Sequence, residues 1–209
     1  MADASASHPD LARLIGDEIR ARGPMPFARF MELALHHPEH GYYARGPERL
    51  GRGGDFFTAS DVGATFGACL SRQLVEMDAL LGKPATFHYV EHGAGRGLLA
   101  RDVEDALCAK EPGLARRFNA VLVDTSSGMR AAAAGRLPEA RVEAAGVARP
   151  AGAGCVVAVE LFDALPVHRV RRRGEALVEV LVALEGDTLV EAEGPPGADL
   201  SAWAEAYGA

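Results

Sequence analysis

The stretch Val90-Glu91-His92-Gly93-Ala94-Gly95-Arg96-Gly97 follows a short apolar run and leads into a helical pattern. Glycines at such a junction let the backbone turn sharply and approach a ligand without Cβ interference, while the helix start offers unpaired N–H groups. The spacing is G-x-G-x-G, not the G-x-G-x-x-G dinucleotide fingerprint, and there is no G-x-x-x-x-G-K-[ST] phosphate loop. Glu91, two residues before the first glycine, would repel a polyphosphate and suits a cationic or zwitterionic cofactor such as S-adenosylmethionine. The alternative is a glycine turn that only packs strand on helix.

Three more carboxylates fall where open α/β sheets bind ligands, at the carboxyl ends of strands. Asp124 ends the apolar run Ala120 to Val123 and is placed to take a ribose diol, or else to cap the helix that starts near Ser126. Glu160 and Asp163 follow the run Cys155 to Val159. They could orient a cationic amine or guanidinium or accept a proton; alternatively Asp163 caps a turn and Glu160 pairs with one of the many arginines. The histidines have no compact ligand spacing beyond His36 and His40, which straddle a helix-ending proline, so no metal is expected. Cys69, Cys108 and Cys155 are an odd, widely spaced set with no C-x-x-C, which predicts buried free thiols in a reducing compartment.

The elements that must hold these groups are legible as periodicity. Helices are predicted over 8–22, over Pro26 to His37 and from Asp61 to about Leu81, the last with Val62, Phe66, Cys69, Leu74, Met77 and Leu81 as its stripe. Between the second and third, residues 40–60 read as a long glycine- and aromatic-rich loop, a class that is often functional. Apolar runs at 87–90, 120–123, 141–145 and 155–159 then alternate with helical segments, implying an α/β core with a parallel sheet. After Pro166 the texture becomes β-like segments broken at Gly174 and at Glu185-Gly186-Asp187, the sign of antiparallel hairpins.

The 209 residues allow one domain or a little more, and 48% hydrophobic with 24% charged residues is ordinary globular usage. No apolar run has the length of a membrane span, and the first ten residues lack a secretory signal, so a cytoplasmic chain is expected. The net charge of −7 disfavours a nucleic-acid partner.

Five segments together resemble the MidA-like class I S-adenosylmethionine-dependent methyltransferases, related to a mitochondrial protein arginine methyltransferase that assists assembly of respiratory complex I. They are PMPFARFMELALHHPEHGYYA from Pro24, GGDFFTASDVGATFG from Gly53, VEHGAGRGLLARDV from Val90, VDTSSGMR from Val123 and VELFDALPVHRV from Val159. The resemblance implies a Rossmann-like core with an N-terminal helical region and a β-hairpin insertion, divided as 1–84, 85–168 and 169–209. It implies S-adenosyl-L-methionine as cofactor, with Glu91, Gly93, Gly95 and Gly97 around its methionine end and Asp124 on the ribose. Gly54, Asp55, Phe56 and Thr58 would close over it, and Glu160 and Asp163 would act on a protein arginine. His92, Ser60 and Val159 depart from the family's usual aliphatic residue, proline and asparagine. The resemblance further implies a chain truncated at its C-terminus, with an incomplete sheet whose CVVAV run is an open edge for a second chain or another copy. The other reading is a non-catalytic homologue that serves as a protein-binding or assembly module. A nicotinamide-dependent oxidoreductase is disfavoured by the glycine spacing and by Glu91.

Overall fold

The computed structural model describes residues 8–45, 63–144, 146 and 148–207. In chain order the first elements are α1 (Pro9–Arg22), β1 (Met25–Pro26) and α2 (Phe27–His36). Next come α3 (Thr65–Leu80), β2 (Phe87–His92), α4 (Leu98–Lys110), α5 (Pro112–Ala115), β3 (Phe118–Val123), α6 (Ser127–Arg136), β4 (Arg141–Glu143) and β5 (Gly154–Ala158). Last are β6 (Arg169–Arg173), β7 (Ala176–Glu185), β8 (Thr188–Gly194) and α7 (Ala198–Tyr207). The contacts separate two compact units, Met1–Tyr43 with Ala164–Ala209, and Ala44–Asp163. The segments 1–84, 85–168 and 169–209 read from the sequence follow chain order, whereas the contacts join the first and last stretches of the chain.

In the first unit the hairpins expected after Pro166 form an antiparallel sheet in which β7 pairs with β6, β8 and the two-residue β1. Leu11, Ile15 and Ile19 of α1 and Leu33 of α2 bury against Met25 and Val182. Across β7, Arg169 of β6 pairs with Glu191 of β8, and Arg171 and Arg173 pair with Glu193.

The second unit holds a parallel sheet in the order β4-β3-β2-β5. Its strands fall where the apolar runs predict them, with β2 continuing through Glu91 and His92. Strand β2 pairs with β3 from Phe87↔Phe118 to His92↔Val123, and with β5 from His88↔Gly154 to His92↔Ala158. The chain winds outward from β2 to β3 and β4, then returns to lay β5 on the opposite side of β2. The winding direction therefore reverses between β2 and β5. In open α/β sheets this is the topological switch point, where the loops leaving the carboxyl ends diverge and open a crevice. Leu74, Leu99, Val103, Leu107 and Ala133 from α3, α4 and α6, with Leu137 just after α6, close one core over Phe87, Tyr89 and Leu122 of the sheet.

Two expectations are corrected here. The stripe predicted for the third helix meets the core only at Leu74: Phe66, Cys69, Met77 and Leu81 are exposed, Val62 lies outside the described residues, and the rest of the buried face of α3 is Gly67, Ser71 and Asp78. The reason is close packing and pairing. A Cβ at Gly67 would lie 2.4 Å from the Asp102 Cβ of α4. The Ser71 hydroxyl donates to Ala68 O, and the Asp78 carboxylate takes two guanidinium bonds from Arg117 at 2.7 and 2.8 Å. Those bonds hold the Asp78 carboxyl below its ordinary range despite its burial. Nor are the cysteines buried, since Cys69 and Cys108 lie on the outward faces of α3 and α4, and Cys155 is half-buried on β5.

Leu74 is fully buried and joins α3 to the sheet. Leu74→Ala is expected to lower unfolding stability by about 3 kcal/mol, read as a lower urea midpoint with an unchanged slope.

Candidate functional site

Each side of the switch point delivers groups that the sequence singles out. On the β2 side the chain leaves Glu91 and His92 into the glycine turn. Gly93, Gly95 and Gly97 all have positive φ, of 68°, 54° and 70°, a region that side chains with a Cβ enter only with strain. Two of these positions are also closed by packing. A Cβ on Gly93 would stand 2.9 Å from Leu161 Cδ1, and one on Gly97 would stand 3.2 Å from both Ala133 Cβ and Leu137 Cδ1. Gly95 differs, because a Cβ there would meet nothing within 4 Å. The middle glycine thus turns toward open space, and its bare backbone fits a ligand lying against the loop better than it fits an internal packing need.

The loop is held by β3. Val123 O accepts from the N–H groups of Gly93 and Ala94 at 2.9 and 3.1 Å. Asp124 then divides its carboxylate: Oδ2 accepts from Gly95 N–H at 2.9 Å and Oδ1 from Ser126 N–H at 2.8 Å. The cap of α6 is Ser126, whose Oγ accepts from Met129 N–H. Asp124 is therefore not the helix cap of the alternative reading; it bridges the glycine turn to the turn that follows β3, at the carboxyl-end rim where a ribose diol is bound in such folds. Arg130 and Arg136 secure the same region by donating to the Asp124 and Thr125 carbonyls and to Arg96 O. His92, where the resemblance leads one to expect an aliphatic residue, donates from Nε2 to Ala148 O at 2.9 Å.

Glu91 is 5% exposed and lies on the same face of β2 as Tyr89, whose hydroxyl donates to Glu91 Oε2 at 2.7 Å. Burial disfavours the charged carboxylate, the Tyr89 bond only partly offsets it, and the Glu91 carboxyl is pushed up to about 7. The sequence treats Glu91 as a standing negative charge, whereas its burial favours the protonated form. Tyr89 was missed, although strand alternation puts residues i and i+2 on one face and so contained the signal.

On the β5 side, Glu160 has φ 50°, a left-handed backbone that is strained for a residue with a Cβ. Glu160 and Asp163 are both exposed, and among the described residues neither carboxylate has a hydrogen-bond or ion-pair partner. The proposed pairing of Glu160 with an arginine does not occur there. Between them stands Phe162, 75% exposed. Leu161 turns back against Gly93, so the two rims of the crevice touch. Gly54, Asp55, Phe56, Thr58 and Ser60 lie outside the described residues. No group of three or more His, Cys, Asp or Glu among the described residues could hold a metal ion.

A parallel sheet with a glycine turn at its switch point and an acid ending the next strand defines a Rossmann-like nucleoside-binding domain. The model of the family described as "Putative S-adenosyl-L-methionine-dependent methyltransferase" matches residues 69–208, and the chain belongs to that family. Among curated relatives, the mitochondrial protein arginine methyltransferase NDUFAF7 homolog of Drosophila melanogaster is 32% identical over 86% of this chain and 46% of its own length. Protein arginine methyltransferase NDUFAF7, mitochondrial, of Danio rerio is 27% identical over 87% of this chain and 49% of its own. The chain thus spans about half the length of these relatives. A solved structure from Burkholderia thailandensis bound to S-adenosyl-homocysteine is 30% identical, with a TM-score of 0.78 over 94% of this chain and 53% of that one.

Because the unfolded Glu91 carboxyl ionises near its ordinary 4.5 and burial pushes the folded one up to about 7, stability is lost as pH rises through that window. Glu91→Gln, which carries no charge to bury, is expected to be more stable than the wild type at pH 8 by roughly 3 kcal/mol. The advantage should vanish toward pH 4, and urea denaturation at the two pH values checks this.

Proposed function

We propose that the chain is an S-adenosyl-L-methionine-dependent methyltransferase acting on an arginine side chain of a protein, such as a subunit in respiratory complex I assembly. The observation that carries the cofactor reading is the bare face of Gly95 beside the Asp124 carboxylate, in a family defined by that cofactor. Residues 93–97 offer backbone to the methionine end, Asp124 offers carboxylate oxygens to the ribose hydroxyls, and the 54–58 segment is assigned to closure on the resemblance alone. The cofactor supplies an electrophilic sulfonium methyl for in-line transfer. The work left to the chain is to hold the attacking nitrogen in line with that methyl and to exclude water.

Glu160 and Asp163 are the groups we assign to the substrate. Two carboxylates at the crevice rim, without partners among the described residues, can take a guanidinium by charge-assisted hydrogen bonds, fixing the plane of the nitrogen that attacks. The arginine specificity is drawn from the names of the fly and fish relatives.

The proposed partners are the protein substrate and a second chain or another copy of this one at the sheet edge. Strand β5 pairs with β2 alone among the described residues, and Val156 on it is 54% exposed, which suits addition of a further strand. The same open edge favours the second reading, a protein-binding module without turnover. The proposed compartment is the cytoplasm, supported by the exposed thiols of Cys69 and Cys108, which suit a reducing environment. The curated relatives themselves carry "mitochondrial" in their names.

Calorimetric titration with S-adenosyl-homocysteine is expected to show binding to the wild type and none to a folded Gly95→Val variant, whose branched side chain fills the space before the loop. With labelled S-adenosyl-L-methionine, the double variant Glu160→Gln/Asp163→Asn should still bind cofactor but lose at least tenfold in methyl transfer to arginine, read by amino-acid analysis of acceptor protein. Binding with no transfer by the wild type would select the non-catalytic module.

A further inference from the structure

His36 and His40, the one closely spaced histidine pair of the sequence, part company in the structure. The His40 ring stays with its neighbours, stacked on His37 at 5.1 Å and set against His8 at 4.7 Å. His37 also acts locally, its Nδ1 accepting the N–H groups of Glu39 and His40 at 3.3 and 3.1 Å. His36 is the last residue of α2, three positions after the buried Leu33 and so on the helix face that meets the core of its unit. From there its Nε2 lies 2.9 Å from the carbonyl oxygen of Ala164, 128 positions along the chain. A carbonyl only accepts, so Nε2 is the donor. The other ring nitrogen, Nδ1, is buried with no hydrogen-bond partner among the described residues, and the ring stacks on Tyr43 at 5.4 Å. The stack and the single bond to Ala164 set the orientation of the ring.

Ala164 ends the 3-10 turn Phe162–Ala164, and the residue before it is Asp163. The stretch from Glu160 to Ala164 is thinly held: Phe162 is largely exposed, and Glu160 and Asp163 are exposed on either side of it. Ahead of the turn Leu161 packs on Gly93. Behind it, His36 is the one side chain among the described residues that hydrogen-bonds the stretch. A carboxylate on so exposed a turn keeps one orientation only as far as the ends of the turn are fixed, and ordering it before the substrate arrives lowers the cost of binding.

We propose that His36 is a positioning residue for the arginine substrate: its N–H to the Ala164 carbonyl fixes the end of the turn that carries Asp163. The inference rests on the assignment of Asp163 to the guanidinium and adds to it the residue that orders that carboxylate. His36 acts through the turn, and no bond to it forms or breaks during methyl transfer.

Two variants of the full chain separate the bond from the ring. His36→Phe keeps a ring to stack on Tyr43 and loses the donor, whereas His36→Gln keeps a donor N–H and loses the ring. Methyl transfer from labelled S-adenosyl-L-methionine to poly-L-arginine should show KM for the acceptor raised about fivefold in His36→Phe, with kcat and the affinity for S-adenosyl-homocysteine within about twofold of the wild type. His36→Gln should recover most of the lost KM. In amide NMR spectra the Asp163 and Ala164 signals should move in His36→Phe and return toward their wild-type positions in His36→Gln, while Gly95 and Ser126 stay in place. A fall in cofactor affinity that matches the change in KM would mark a purely structural role and overturn the proposal, as would a glutamine variant no better than the phenylalanine one. Wild-type transfer with KM unchanged in His36→Phe would overturn this inference alone. No transfer by a wild type that binds S-adenosyl-homocysteine would overturn the substrate reading and this inference with it.

Discussion

Strand β2 is hydrogen-bonded along both edges and buried on both faces, and the organisation of the second unit follows from that. Phe87 and Tyr89 seal one face against the helices, and Val90 seals the other with Val121 and Val123. A strand so enclosed can meet solvent only at its ends. At the carboxyl end the chain must reverse into α4 without a side chain in the way, which is the demand that Gly93 and Gly97 meet. The return of β5 to the far side of β2 then places a second set of loop residues beside the first, and the crevice between them is a product of strand order.

Within that crevice the polar groups sort by how they are held. The Asp124 carboxylate is fixed by two backbone N–H bonds, so its orientation is set before any ligand arrives. Such preorganisation lowers the ordering cost of binding. Glu160 and Asp163 are exposed and unpaired among the described residues, free to be recruited by a substrate. Glu91 is neither, being buried with the Tyr89 hydroxyl as its partner.

Much of this was legible in the sequence because it depends on short-range rules. The strand, glycine turn and helix at 87–110 announce themselves by period and composition, and Asp124 by its place at the end of the next strand. What escaped depends on distant residues. Beside Leu74, the buried face of α3 carries a glycine explained by the Asp102 backbone and Cβ and an aspartate explained by the Arg117 guanidinium 39 positions away, while its Ser71 bonds the Ala68 carbonyl one turn back on the same helix. Hydrophobic periodicity finds Leu74 but with it selects Phe66, Met77 and Leu81, which lie outward. The two-residue pairing of Met25 and Pro26 with β7 joins segments more than 150 positions apart and has no local signature. The Tyr89 and Glu91 bond is a third case, visible in strand alternation once the strand is known to run two residues past its apolar core.

The central claim is that the ligand site is the crevice at the switch point, built on Gly95 and Asp124. Amide NMR spectra of the labelled chain, recorded with and without S-adenosyl-homocysteine, test it directly. The account predicts that the Gly95 and Ser126 amides, which share the Asp124 carboxylate, shift together with those of residues 160–163, while the Trp203 indole on α7 stays in place. Shifts confined to the α7 and β8 region, or none in a folded chain, would contradict it.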